Sequence, residues 1–468
     1  MLYRIRVIVI AAVTATVFSG CGNSDENEQT DFESGASQIV LNLPDSVYFW
    51  SDVAPVLYQN CTPCHHNNGA GPFELISYND VKKRTKTIRL AVAEGYMPPW
   101  PADPEYRHFK DEKVLTAREK EIILKWIAQG ALEGPLPEKL PQPKTVSNED
   151  LGAPDMVIPF PDTVFIAGDN IDQFKIVKIG FQLPFDTLLR AIQFNPGNRQ
   201  LVHHVNGHMV NYAFNQKRNP KDGDWIFDAE KVNSLDAYQK MKLANDNGTY
   251  PPLRVSAFNY LPGVEPIIYP EGIGTVYIKK KGAFILNTLH YGPTPIDTFD
   301  LSEIRLYFAE KPPERNLLEL HMGTQGVTAI KPEFVVYADS VCQFETRYRV
   351  PADISVLTIN PHMHLLGKRI KAFAVSENGR DTIPLIDIPK WDFRWQYFYT
   401  FEKMLKIPKG YEIVVKAVFD NTINNPFNPF LPPKTIRQAG ENMKTTDEMF
   451  QFFVNYVRYK EGDENIEL

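Results

Sequence analysis

The residues of this chain best suited to metal chemistry are its histidines, ten in 468 residues, and their spacing sorts them into sets. The run Ile354-Ser355-Val356-Leu357-Thr358-Ile359 is rich in β-branched residues and reads as a strand that continues into Asn360-Pro361-His362-Met363-His364. Side chains alternate along a strand, so His362 and His364 point the same way and Met363 the other way. Two imidazoles side by side suit one metal ion. His203 and His204 are adjacent after Gln200-Leu201-Val202, and both can reach one ion only at a bulge or a strand end. His290 closes another strand-like run, Ala283 to Leu289. His208 and His321 have no evident partner and are expected to be exposed or hydrogen-bonded. Imidazole suits zinc, copper, iron and nickel alike, so a thioether ligand is what would tilt the choice toward copper, above all Cu(I).

A second chemistry is written in Cys61-Thr62-Pro63-Cys64-His65, the CxxCH spacing of covalent c-type haem attachment. Two thiols three residues apart can each reach a vinyl group, which places the next imidazole beneath the iron. Met97, in Tyr96-Met97-Pro98-Pro99-Trp100, is the expected second axial ligand, in a manner that resembles class I cytochromes c; His66 and His108 are the alternatives. Leu115, Ile122, Ile123, Trp126 and Ile127 recur at helical spacing before Gly130 and Gly134, which predicts a closing helix with Trp126 in its core.

The elements that must position these residues follow an exported N-terminus. Arg4 and Arg6 precede the apolar or small run Val7 to Phe18, too short to span a bilayer, and Phe18-Ser19-Gly20-Cys21 looks like a bacterial lipoprotein cleavage box. Residues 1–20 are therefore expected to be a signal peptide, with Cys21 lipidated, and 21–45 an acidic disordered tether. This places the protein in the cell envelope, membrane-bound through its lipid, on the outer membrane facing the periplasm or the cell surface. The formal net charge of −7 argues against nucleic acid as a partner. Four cysteines make no disulfide framework, and Cys342 reads as a buried thiol.

Residues 46–134 are expected to form an all-α cytochrome c domain, and 135–154, with Pro135, Pro137, Pro141 and Pro143, a semi-rigid linker. Beyond it, short apolar runs divided by Pro, Gly, Asn and Asp predict two all-β, jelly-roll-like sandwich domains, 155–310 and 311–468, parted near Lys311-Pro312-Pro313.

The order of these motifs resembles the copper type II, ascorbate-dependent monooxygenases, the peptidylglycine α-hydroxylating and dopamine β-monooxygenase family. Trp391-Asp392-Phe393-Arg394-Trp395-Gln396, Asp420 to Pro426, and Thr445-Thr446-Asp447-Glu448-Met449-Phe450 also look like family segments. The resemblance, over about residues 155 to 460, implies two β-sandwiches facing each other across a cleft and one copper ion on each. It places the first copper on His203, His204 and His290, as an electron store. The second falls on His362, His364 and Met449, where O2 is activated and a C–H bond hydroxylated. It implies O2, a small-molecule substrate and an electron donor, ascorbate-like or a redox protein, as partners. Here one covalent haem c fused upstream is a candidate feed.

Two departures bear on substrate. Where the peptide-hydroxylating enzymes hold a terminal carboxylate with an arginine and a tyrosine, this chain has Asn360 and Phe453, so a peptide C-terminus is not expected to bind. Phe452 and Phe453 suggest a more apolar substrate. The rival readings are a non-catalytic haem and copper electron-transfer lipoprotein and, more remotely, a zinc hydrolase.

Overall fold

The structure is a computed structural model that describes residues 41–144, 151–264, 266–273, 276–437 and 446–468. The expected signal peptide, Cys21, most of the tether, residues 145–150 of the linker and Thr445 lie outside the described residues.

The β part is built from strands that alternate core and surface residues. In the first half, a five-stranded antiparallel sheet runs in the order Ile226–Asp228, Gln173–Gln182, Lys281–Tyr291, Val202–Tyr212, Leu253–Tyr260. A four-stranded sheet, in the order Met156–Pro159, Glu303–Phe308, Thr187–Asn195, Val276–Ile278, packs against it. Val177, Ile179 and Phe284 from the one meet Leu189, Phe194 and Leu306 from the other in a single core. Helix Ser234–Lys240 covers part of the five-stranded sheet's outer face, where Ala237 packs with Ile176, Val210 and Ile285.

The second half repeats the scheme. A four-stranded sheet in the order Leu318–Gly323, Phe450–Arg458, Ile354–Met363, Tyr399–Ile407 packs on a five-stranded one centred on Glu412–Asp420 and Gly367–Val375. Phe450, Phe452 and Val454 enter the core with Val356, Ile359 and Met363. The intervening residues, among them Gln451, Phe453 and His362, therefore face outward, toward the first sandwich.

The expected all-α cytochrome c domain at 46–134 is overturned. The described chain is mostly β, and its five α-helices are short, between six and twelve residues. Four of them fall in this segment and gather around Phe49, Leu57, Ile123 and Trp126. The longest, Ala117–Ala128, begins with a reciprocal Thr116–Glu119 capping box. Between the third and fourth helices the chain leaves this layer. Ala102 and Phe109 are buried in the core of the second sandwich, and the Asp103 N–H donates to the Asp387 carbonyl. Pro98, Pro99, Pro101 and Pro104 bar a helix over this stretch, so it runs as an extended strap instead.

The C-terminal turn is fastened to the same sandwich by charge. Arg315 grips Asp463 with two hydrogen bonds, 2.6 and 2.8 Å, while Ser355 Oγ and the Lys460 N–H also donate to that carboxylate. Burial acts to raise the Asp463 carboxyl, but these donors together hold it below the usual range. Asp463→Asn is expected to cost roughly 3 kcal/mol in denaturant unfolding at neutral pH, since it leaves Arg315 without its counter-charge. A carboxyl depressed in the folded state stabilises above its unfolded titration range, so the gap between variant and parent should close as the pH falls through the folded pKa.

Candidate metal centres

The adjacent pair His203 and His204 converges because the strand Val202–Tyr212 carries a bulge. Val202 pairs with Tyr291 and His204 with His290, so His203 has no partner in the register. The bulge turns both imidazoles to one side, and potential ligand atoms of His203, His204 and His290 all lie within 4.8 Å of one another. His290 Nε2 donates to Asp172 Oδ1 at 2.6 Å, which leaves its Nδ1 as the lone-pair nitrogen, 3.2 Å from His204 Nδ1. His203 Nδ1 is buried without a hydrogen-bond partner. Two facing ring nitrogens and a third unpaired one beside them make a compact all-nitrogen donor set that fits a metal. Burial, followed by the neighbouring imidazoles, drives His203 down to about 4 and His204 well below its usual value. The rings are therefore neutral and able to ligate at pH 7. Asp172 is held low first by the His290 hydrogen bond.

His362 and His364 stand at the end of strand Ile354–Met363, with ring centroids 5.1 Å apart, and line the same cavity as Met449. Met363 points into the core. His362 Nδ1 donates to Gln396 Oε1 at 2.6 Å, and His364 Nδ1 to the Asp447 carbonyl at 2.9 Å. Both rings thus offer Nε2, whereas the first cluster offers Nδ1 from His290. Burial, then His364, pushes His362 down to about 3.

The brace of this second set is Glu448. Its carboxyl is fully enclosed and accepts from the backbone N–H groups of His364 (3.1 Å), Leu366 (2.7 Å) and Met449 (3.2 Å). Burial pushes it up to about 8, against three donors that favour its ionised form. Trp391 Nε1 adds a hydrogen bond to the His364 carbonyl. Between the two histidine sets lies Phe393, edge-on to His204 at 6.0 Å and to His364 at 5.6 Å between ring centroids. Trp395 contacts His203 at 5.2 Å. The segment 391–396 thus touches both sets at once.

The positions that depart from the peptide-hydroxylating pattern are settled in packing. Asn360 is buried and donates to the Tyr397 carbonyl at 2.7 Å. Phe452 belongs to the core, while Phe453 lines the cavity. His208 and His321 both line that cavity; His321 is hydrogen-bonded to the Thr324 backbone, as one of the expected alternatives had it, while His208 is buried, and each keeps one buried nitrogen, His208 Nδ1 and His321 Nε2, without a partner.

In the CxxCH segment, His65 Nδ1 donates to the Phe73 carbonyl at 2.9 Å, which leaves Nε2 free to ligate. Two thiols and one tethered imidazole suit covalent haem attachment, and burial pushes the Cys61 thiol up to about 12. Met97 is 37% exposed, His66 is tied to the Thr62 carbonyl, and His108 is exposed beside Glu112. Among the described residues, none of these three is hydrogen-bonded to His65. Cys342 is buried in the second sandwich.

Comparison with known proteins bears on the second half. Residues 315–465 match the copper type II ascorbate-dependent monooxygenase C-terminal domain. That span holds His362, His364 and Met449 and supports the family and copper; it does not reach the CxxCH segment or the three-histidine cluster. No curated protein matches the chain. Among solved structures, the major capsid protein P2 from bacteriophage PM2 is 9% identical with a TM-score of 0.22, covering 66% of this chain and 99% of that one. A structure of infectious bursal disease virus Gt strain is 10% identical with a TM-score of 0.15, covering 65% of this chain and 77% of that one.

Sequence reasoning passed over Asp172, Gln396 and Glu448. Glu448 stands next to Met449 and Gln396 closes an aromatic-rich segment, but nothing in residue type marks either as a partner of a histidine 34 or 84 positions away. Glu448→Gln would turn an amide NH2 against a backbone N–H. Its expected effect is a 10- to 100-fold loss of copper affinity confined to the His362, His364 and Met449 set, with the His203 cluster still loaded, read as one copper per chain instead of two by metal analysis and EPR.

Proposed function

We propose that the chain is a copper-dependent monooxygenase that hydroxylates a C–H bond of a small, largely apolar substrate. The observation that carries this reading is the placement of two histidine sets on the facing surfaces of two sandwiches, one with a thioether beside it. His203, His204 and His290 would hold one copper, and His362, His364 and Met449 the other. Copper at the second set, favoured as Cu(I) by the thioether, supplies O2 activation.

The chain's own residues do the rest. Gln396 and the Asp447 carbonyl hold the His362 and His364 rings with Nε2 turned to the cavity, and Glu448 fixes the backbone between them and Met449. Phe393 and Phe453 give the cavity apolar walls that favour a hydrocarbon surface over water. Asp172 orients His290 and stabilises its Nε2–H tautomer.

Each turnover of such a reaction consumes two electrons. We propose that they enter from the N-terminal segment, through a haem bound covalently at Cys61, Cys64 and His65. Supporting this is a line of rings in contact: Trp100 with Tyr397 at 5.2 Å, Tyr397 stacked with Trp395 at 6.2 Å, and Trp395 with His203 at 5.2 Å. Tyr397 also donates to the Pro99 carbonyl at 2.6 Å, which pins the strap to this line. Export, and anchoring to the envelope by Cys21, belong to the same proposal and rest on the sequence pattern of residues 1–21.

The protein is expected to bind two coppers and to consume O2 only with reductant, matched by a product one oxygen heavier than its substrate. Met449→Ala should abolish O2 consumption while leaving the His203 cluster loaded. Two firmly held zinc ions and no O2 uptake would sink the reading. A pyridine haemochrome spectrum of the purified chain should carry the signature of thioether-bonded haem. Its absence removes the haem feed and leaves the copper chemistry standing.

A further inference from the structure

Two imidazoles in the cleft remain outside both ligand sets. His208 lies on strand Val202–Tyr212 of the first sandwich and His321 on strand Leu318–Gly323 of the second, and both line the cavity of about 180 Å3 that also holds His362, His364 and Met449. His208 is 5% exposed and its Nδ1 is buried without a partner. His321 is hydrogen-bonded to the Thr324 backbone, while its Nε2 is buried without a partner. A ring that donates through Nδ1 to a carbonyl carries a lone pair on Nε2, so His321 offers an acceptor that nothing in the described chain fills. Buried polar atoms left unpaired are rare in folded proteins, and two from opposite sandwiches in one cavity call for a shared cause.

The strand register says where they stand. His321 pairs with Phe453, which pairs with Asn360, while Gly323, Gln451 and His362 form the next outward-facing row. Successive same-face rows lie about 7 Å apart along a strand, so His321 is one row from His362 and on the same face. Its ring stacks on Phe453 at 4.3 Å. The polar end of the cavity is therefore carried on the edge strand, beside the two positions where the charged clamp of the peptide-hydroxylating enzymes is replaced.

We propose that His208 and His321 form a substrate-binding pair across the cleft, which recognises an uncharged molecule through a hydroxyl group while its apolar body lies on Phe453 toward His362 and His364. This deepens the monooxygenase reading and rests on it. Burial lowers both rings to about 4, so at pH 7 they carry no charge to attract a carboxylate. A hydroxyl can donate to one ring nitrogen and accept from a ring N–H; a hydrocarbon can do neither, and an ionised carboxylate, which only accepts, cannot fill the His321 lone pair and is desolvated at a penalty.

The test uses the copper-loaded, reduced full chain under anaerobic conditions, so that binding is read without turnover. 2-Phenylethanol, ethylbenzene and phenylacetate serve as matched probes in equilibrium dialysis. The alcohol is expected to bind about tenfold tighter than either of the others, the worth of one net hydrogen bond. His208→Leu and His321→Leu should each erase that preference while two coppers per chain are retained. An alcohol that binds no better than ethylbenzene, or a preference that survives both substitutions, overturns the proposal. So does a third equivalent of metal that disappears with His208→Leu, which would make the pair a metal site instead. If the parent chain fails to load copper at His362, His364 and Met449, the monooxygenase reading itself falls, and that outcome is separate from any probe preference.

Discussion

The candidate oxygen-activating set depends on one buried carboxyl. Glu448 accepts backbone N–H groups from both sides of a strand junction: His364 and Leu366 at the end of the His362 strand, and its own neighbour Met449. Enclosing a carboxyl costs a large desolvation free energy, which three converging donors offset only in part, hence its upward shift. Such an arrangement persists where it fixes geometry that looser packing would not. Here it sets the distance between an imidazole on one strand and a thioether on the next, and Met449 cannot swing away without breaking the network. The adjacent register, His362 with Gln451 and Met363 with Phe450, carries that constraint into the sandwich core.

The nitrogen cluster is positioned by the opposite device, a defect in a sheet. The bulge at His203 removes one residue from the ladder and so lets two consecutive side chains share a direction. The two sets also differ in which ring nitrogen is left to ligate. His362 and His364 are tied at Nδ1, and His290 is tied at Nε2 by Asp172. A ligand that binds through Nδ1 would hold a metal nearer its own backbone than one that binds through Nε2. A ligand bound through Nε2 reaches farther into the cavity.

Much of this was legible in residue types. Alternation along Ile354–Met363 assigned His362 and His364 to one face, and adjacency of His203 and His204 required a bulge or a strand end, of which the structure shows the bulge. Those inferences need only local geometry. What escaped was contact at long range. Asp172 meets His290 across 118 residues and Gln396 meets His362 across 34, and neither carries a local periodic signal. His208 and His321 looked solitary because their common cavity exists only once two sandwiches meet. The all-α cytochrome domain failed for a related reason. A haem-attachment spacing and one amphipathic helix were extended to a whole domain, whereas the proline-studded strap 98–104 diverts the chain onto the second sandwich.

That diversion ties the N-terminal segment to the candidate centres. Trp100 packs on Tyr397 and Tyr399, and Phe109 on Tyr399, close in sequence to Trp395 and Phe393. The segment 391–399 is thus shared: one end touches the strap, the middle contacts His203, and Phe393 stands between His204 and His364. Any shift of the strap must pass through rings that also bound the cavity. A rigid connection of this kind suits electron delivery, which falls steeply with distance and gains from packed contact. It also means that the helical segment and the second sandwich cannot be separate modules on a loose linker: Ala102, Phe109 and the Asp103–Asp387 backbone bond make the strap part of the sandwich that carries His362, His364 and Met449.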